Sequence, residues 1–155
     1  MKLSDIIISD AIVPNLRATT RDEAIGELVD ALVAAGAIPS KTGPDVAKAV
    51  LSRESQATTG IGKGVALPHA KLKSVKHPIA AIGGSQDGID FAALDSKPVY
   101  SVILLLSSPD GPDEHLQAME TIFKHVQRDI FRKFLRQSQT TQAVMELIDE
   151  ADELG

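Results

Sequence analysis

One stretch leaves the backbone few options: Thr59-Gly60-Ile61-Gly62-Lys63-Gly64-Val65-Ala66-Leu67-Pro68-His69-Ala70. Three glycines at alternate positions let the chain turn sharply or approach another backbone closely. Val65-Ala66-Leu67 is too short for a stable helix and reads as a buried strand. Pro68 fixes its own φ and biases Leu67 towards extended geometry, so the strand should run straight up to the proline. His69 is then delivered at a strand end on a stiff backbone. A fold for this chain has to supply neighbours for a strand that ends in an imidazole.

Those neighbours are legible on both sides. Met1 to Ile8 reads as a short helix, and Ile12-Val13-Pro14-Asn15-Leu16 as an extended piece with Pro14 at its edge. Thr20 followed by Glu23 has capping-box spacing, and Ala24, Ile25, Leu28, Ala31, Leu32 and Ala35 continue as a helix that Gly36 closes. Asp45 to Glu54 gives a second helix, with Val46, Ala49 and Val50 as its stripe. Ile79 to Ile82 is a short buried strand whose far end Gly83-Gly84 should weaken. The nearly all-apolar Val99 to Leu106 should be a central strand. Three helices follow: about Asp113 to Gln127, with a stripe of Leu116, Met119, Ile122, Phe123 and Val126; a short one through Ile130, Phe131, Phe134 and Leu135; and Thr141 to Asp149. Strands and helices mix without strict alternation, which fits an α+β or three-layer α/β/α fold with a mixed sheet. With 155 residues and no internal repeat or linker, residues 1–155 read as one domain.

Composition narrows the chemistry. A net charge of −5 argues against general nucleic-acid binding and offers no polybasic patch for an anionic membrane. The absence of cysteine removes disulfides, thiolate nucleophiles and cysteine zinc sites. Met1 to Asp10 lacks the apolar segment of a signal peptide, and Val102 to Leu106 is far too short to span a bilayer, so a cytoplasmic location is expected.

Among four histidines, His69 is the first candidate for chemistry, against the bland alternative of an inert hydrogen-bonded residue at a strand end. His115 falls in the first turn of the helix after Pro112. From spacing alone, a half-buried or exposed side chain and an N–H donor for an anion at a helix N-terminus are equally supported. Arg53 closes the helix before the glycine loop, either as a solvated helix-end charge or as a guanidinium fork for phosphate oxygens. His77 and His125 read as solvent-exposed. No paired histidine spacing suggests a metal, and no G-x-S-x-G elbow suggests a serine nucleophile. Gly60-x-Gly62-x-Gly64 matches neither a dinucleotide fingerprint nor a P-loop, so a nucleotide is not implied.

Taken together, Arg53-Glu54 and the run Ile61-Gly62, Val65-Ala66-Leu67-Pro68-His69-Ala70 closely resemble the enzyme IIA domains of the fructose/mannitol class. These belong to the bacterial phosphoenolpyruvate-dependent phosphotransferase system. The resemblance continues through Ile89-Asp90-Phe91, Asp95, Pro98-Val99 and Leu104-Leu105-Leu106 to His115-Leu116. Ser96, where many members have glycine, and Gly83-Gly84 depart from it. The resemblance implies a mixed, about five-stranded sheet flanked by helices. It implies a phosphocarrier, a phosphotransferase component with a transient phosphohistidine rather than an independently turning-over enzyme. His69 would accept the phosphoryl group on its tele nitrogen from the histidine-containing phosphocarrier protein (HPr or its nitrogen-branch counterpart). His115 would hydrogen-bond that group, and Arg53 would stabilise it. No cofactor and no metal are implied.

The chemistry is consistent with that. Phosphoryl transfer needs positioning and charge stabilisation more than covalent help, and an imidazole is mainly neutral at pH 7. A stand-alone chain looks most like the nitrogen-regulatory branch, whose state regulatory target proteins read. The alternative is a sugar-type IIA that passes phosphate to a IIB domain. A different class, a binding module that is never phosphorylated, is disfavoured by the intact Arg53, His69 and His115 set. A homodimer is compatible with either branch.

Overall fold

A computed structural model describes residues 1–155. Short α1 (Leu3–Ile6) leads directly into β1 (Ile7–Val13), so the expected N-terminal helix stops two residues early and a strand takes its end. Then come α2 (Arg21–Ala34), a 3₁₀ turn (Ser40–Thr42) and α3 (Gly43–Gln56). Strands β2 (Gly60–Gly62), β3 (Val65–Ala66), β4 (His69–Lys71), β5 (Ile79–Ile89) and β6 (Val99–Ser107) follow. The chain finishes with α4 (Pro112–Val126), α5 (Asp129–Gln137) and α6 (Thr141–Leu154).

The six strands form one mixed sheet in the order β1-β5-β6-β3-β2, with β4 also paired to β6. Strands β3 and β4 both run parallel to β6 in one register: Val65 faces Ser101, Ala66 faces Val102, and His69 to Lys71 face Leu105 to Ser107. They are one strand line interrupted by Leu67-Pro68, so six strands occupy five lines. The mixed sheet and its two helical layers agree with the expected architecture.

Alternation across the pleat builds the two cores. On one face, Ala66, Ala70, Leu104 and Leu106 pack with Ile25, Leu28 and Leu32 of α2 and Val46 and Val50 of α3. On the other, Val65, Leu67, Ile103 and Leu105 meet Ile122 and Val126 of α4, Phe131 and Leu135 of α5, and Ile148 of α6. The helix ends follow their local chemistry. Thr20 accepts from the Glu23 N–H, and Glu23 Oε1 accepts from the hydroxyls of Thr20 and Thr19 and from the Thr19 N–H. Gly36, at φ 74°, closes α2.

Three further expectations change. The Gly83-Gly84 pair does not end the strand, because β5 runs on to Ile89. A Cβ at Gly84 would lie 2.6 Å from the Pro14 carbonyl oxygen and one at Gly83 2.8 Å from Leu16 Cδ1. The glycines let the segment after β1 lie across β5, where the Leu16 N–H donates to the Gly84 carbonyl at 2.8 Å. Leu116 leaves the apolar stripe and is 57 % exposed; Ala118, Ile122 and Val126 make the buried face instead. His125 is the third: expected in solvent, it is 3 % exposed.

His125 sits beside Phe131, ring centroids 5.8 Å apart, and its Nδ1 has no hydrogen-bond partner. Burial, then Arg128 and Lys124, holds its pKa below the ordinary imidazole value, with Asp152 opposing. The folded chain therefore binds this proton less readily than the unfolded chain. The associated stability is fully present above about pH 6.5, the ordinary histidine value, and is lost as pH falls from there towards the depressed folded value. His125→Leu should lose less melting temperature than the parent between pH 8 and pH 5.5. Parallel declines in thermal melts would remove His125 as a source of acid sensitivity.

Candidate functional site

The site begins with how α3 is tied to the glycine loop. Glu54, 2 % exposed in the last turn of α3, accepts the Thr59 N–H at Oε2 (2.8 Å) and the Thr59 hydroxyl at Oε1 (2.5 Å). A buried carboxylate is tolerable when its oxygens are hydrogen-bonded. Here those bonds fold the chain back from the helix into β2. Gly60 passes so close to Ala93 that a Cβ would lie 2.8 Å from the Ala93 Cβ.

Lys63 and Gly64, at φ 58° and 80°, turn β2 into β3, with Gly62 opposite Val65. Two residues of positive φ between paired strands make a type I′ hairpin, whose twist suits the strands. Lys63 tolerates this conformation because Asp95 holds it: Oδ2 accepts the Lys63 N–H at 2.9 Å and Oδ1 the Lys97 N–H at 3.1 Å. Those two bonds, Lys63 first, lower the Asp95 pKa. The alternate glycines thus build a hairpin and its packing against the 91–95 loop.

From Val65 the strand runs to the break at Pro68. The proline has no N–H, yet its carbonyl accepts from the Leu105 N–H at 2.9 Å, so the ladder to β6 persists across the interruption. His69 follows at the same register, half-buried. Its Nδ1 lies 2.9 Å from the Leu67 carbonyl oxygen. A carbonyl can only accept, so Nδ1 carries the proton and Nε2 keeps its lone pair. The acceptor that fixes the tautomer is therefore the backbone two residues upstream.

His115, in the first turn of α4, faces His69 with ring centroids 6.0 Å apart. Its Nδ1 lies 2.5 Å from the Ser107 hydroxyl at the end of β6. Burial first, then the positive charge of Lys71 and the neighbouring His69, lowers its pKa. At neutral pH His115 is an uncharged ring with one N–H.

Of the three residues singled out in the sequence, His69 and His115 are brought together. Arg53 makes no hydrogen bond to either: its Nη1 donates to the Ala57 carbonyl at 3.0 Å, across the end of α3. The helix itself packs on β4, which begins at His69. Two residues escaped the sequence reading. Lys71 shares the His69 face of the strand by period-2 alternation, a signal that was available. Ser107 sits at the end of the apolar run and could be found only once β6 and α4 were placed together. His77 is exposed, 3.6 Å from Glu114. No three His, Asp or Glu side chains cluster as metal ligands, and no helix is long and apolar enough to cross a membrane.

Residues 5–151 match the family described as phosphoenolpyruvate-dependent sugar phosphotransferase system, EIIA 2. The chain is 35 % identical over 135 residues to the fructose-specific EIIA component of Haloferax volcanii, covering 86 % of each. It is 30 % identical over 148 residues to the nitrogen regulatory protein of Bradyrhizobium diazoefficiens, covering 96 % of this chain and 95 % of that one. It is also 32 % identical over 152 residues to the fructose-specific EIIABC component of Bacillus subtilis, spanning 98 % of this chain but 24 % of that protein's length. Among solved structures, the nitrogen regulatory protein IIA-Ntr of Neisseria meningitidis has a TM-score of 0.84 at 23 % identity, covering 94 % of this chain and 98 % of that one.

The Glu54–Thr59 bonds generate a stability prediction. Glu54→Ala leaves a buried N–H and hydroxyl without their acceptor, at a cost of about 1–3 kcal/mol. Glu54→Gln keeps an acceptor oxygen and should recover part of the loss. Denaturant midpoints measure both; an unchanged midpoint for the alanine variant would show that the clamp is dispensable.

Proposed function

This chain belongs to the EIIA 2 family of the phosphoenolpyruvate-dependent sugar phosphotransferase system, and on that premise we propose that His69 is its phosphoryl-carrying residue. The observation that supports this most directly is the Nδ1–H to Leu67 carbonyl hydrogen bond, which leaves Nε2 as the nucleophilic nitrogen. In the proposed step, Nε2 attacks the phosphorus of a donor phosphohistidine on the histidine-containing carrier protein. A new N–P bond forms at Nε2, the donor's N–P bond breaks, and the donor imidazole leaves with its electron pair. No metal is needed in this scheme, and the near-equal chemistry of the two phosphohistidines makes the step reversible.

His115 is the proposed hydrogen-bond donor to the arriving phosphoryl group. In the tautomer proposed for this role the Ser107 hydroxyl donates to Nδ1 and the single ring proton lies on Nε2. Lys71, whose charge already reaches His115, adds positive potential on the same side. Arg53 enters the scheme as a cation that changes partner. Its bond to Ala57 joins a half-buried side chain to a helix-end carbonyl, which a dianion could displace by offering a charge-assisted pair.

The function proposed is regulatory, with target proteins reading the phosphorylation state. The near full-length match to a nitrogen regulatory protein, covering about as much of that chain as of this one, supports it. The second reading, passage of phosphate to a sugar-specific IIB domain, is favoured by the match to the Haloferax fructose-specific component.

With phosphoenolpyruvate, the system's first enzyme and the small carrier, the protein should gain one acid-labile phosphate, and phosphorus NMR should place it on Nε2. His69→Ala should abolish the label, and label persisting in that variant would sink the assignment. His115→Ala and Ser107→Ala should slow transfer about 10- to 100-fold with the melting curve retained, in the range of positioned hydrogen-bond and acid–base contributions. Wild-type kinetics in both would return His115 to a packing role.

A further inference from the structure

One concavity of the molecule lies away from the histidine pair. It lies at the opposite end of the same strands, where β3 and β6 begin, in an open cleft of about 920 Å³ between the Lys63-Gly64 hairpin, the 95–98 loop and α5. Four residues along a strand separate Val65 from His69, roughly 13 Å at the usual rise.

The charge lining it runs against the rest of the chain. Lys63, Lys97, Arg132, Lys133 and Arg136 reach the cleft against two carboxylates, Asp95 and Asp129. Five positive and two negative side chains leave a surplus of three, on a chain whose net charge is −5. Both carboxylates are already engaged: Asp95 accepts the Lys63 and Lys97 N–H groups, and Asp129 pairs with Arg132. Lys63, Lys97 and Lys133 form no ion pair within the protein.

Two further features belong to a built recess. The Arg136 guanidinium carbon stacks 3.5 Å above the centre of the Tyr100 ring, which holds a flexible cation in one place with its edge donors free. Ser101, 4 % exposed, lines the recess at the start of β6. Cations from three separate elements thus converge on one recess.

We infer that this cleft binds a small molecule carrying two or more phosphate or carboxylate groups, at a site separate from His69. The same two strands border both sites, Val65 and Ser101 at one and His69 and Leu105 at the other. Binding in the cleft does not depend on phosphorylation of His69, so the inference stands or falls apart from the proposed function.

The test uses the full ¹⁵N-labelled chain in 150 mM NaCl, titrated with sodium tripolyphosphate and separately with citrate. At least one of them should produce saturable amide shifts in Lys63 to Val65, Lys97 to Ser101 and α5. Lys97→Gln and Arg136→Gln should each weaken that binding fivefold or more, with the spectrum outside the cleft unchanged, and His69→Ala should bind like the parent. Whichever anion binds more tightly identifies the phosphate or the carboxylate class. Shifts that never saturate, affinity unaltered in both cleft variants, or a deca-glutamate peptide saturating the same amides at lower concentration than either anion would overturn the inference.

Discussion

The site depends on one uninterrupted register. From Val65 facing Ser101 to Lys71 facing Ser107, the strand beside β6 keeps its alignment through a proline that cannot donate to the ladder. It survives because the Pro68 carbonyl still accepts from Leu105. The cost of Pro68 is one missing donor, and its return is a fixed φ just before the histidine. A slip of one residue would move His69 to the α2/α3 face, away from His115, and move Ala70 into its place. The same register brings Ser107 to the end of β6, where it meets the His115 ring. Three polar side chains are therefore positioned by backbone pairing inside an apolar sheet.

That dependence explains what was legible in the sequence. The proline, the short apolar run and the histidine are adjacent in the chain, so a strand end presenting an imidazole could be read from local chemistry alone. The capping pair Thr20 and Glu23 and the closing Gly36 are equally local, and α2 forms where they bracket it. What failed was what needed a second segment. Gly83-Gly84 looked like a weak strand end because glycine is a poor strand former. Their true reason is the passage of Pro14 to Leu16 across them. His125 looked exposed because it lies off the stripe drawn through Leu116. The buried arc of α4 is rotated from that stripe: Ala118, Ile122 and His125 pack inward while Leu116 faces solvent.

The glycine loop shows a middle case. Its residue types announced a tight turn, and a type I′ hairpin is what they make. The partners that stabilise the turn could not be read locally, because Asp95 lies 32 residues away and Glu54 acts through Thr59. Glu54 shows how a motif position can be mistaken for chemistry. An acidic residue beside an arginine, ahead of a histidine, invites a catalytic role. Its buried, doubly bonded carboxylate instead fastens the helix to the loop.

A carrier must release what it accepts, and this limits how strongly its site can favour the phosphoryl group. His69 turns Nδ1 to the Leu67 carbonyl, while burial and Lys71 hold the His115 pKa below the ordinary imidazole value. A permanent cation locked against His69 would deepen the phosphorylated state and slow the onward step, since an interaction equally strong in bound and transition states accelerates nothing. Arg53 spends its hydrogen bond on the Ala57 carbonyl instead of on His69. What faces His69 is the His115 ring, with a solvent-exposed Lys71 further along the same strand face. A charge arriving next to His115 would itself favour protonation of that ring, because a nearby opposite charge stabilises the charged form. In the role proposed for His115, that donor would strengthen when phosphate arrives and weaken when it leaves. That response suits a group that must pass in both directions.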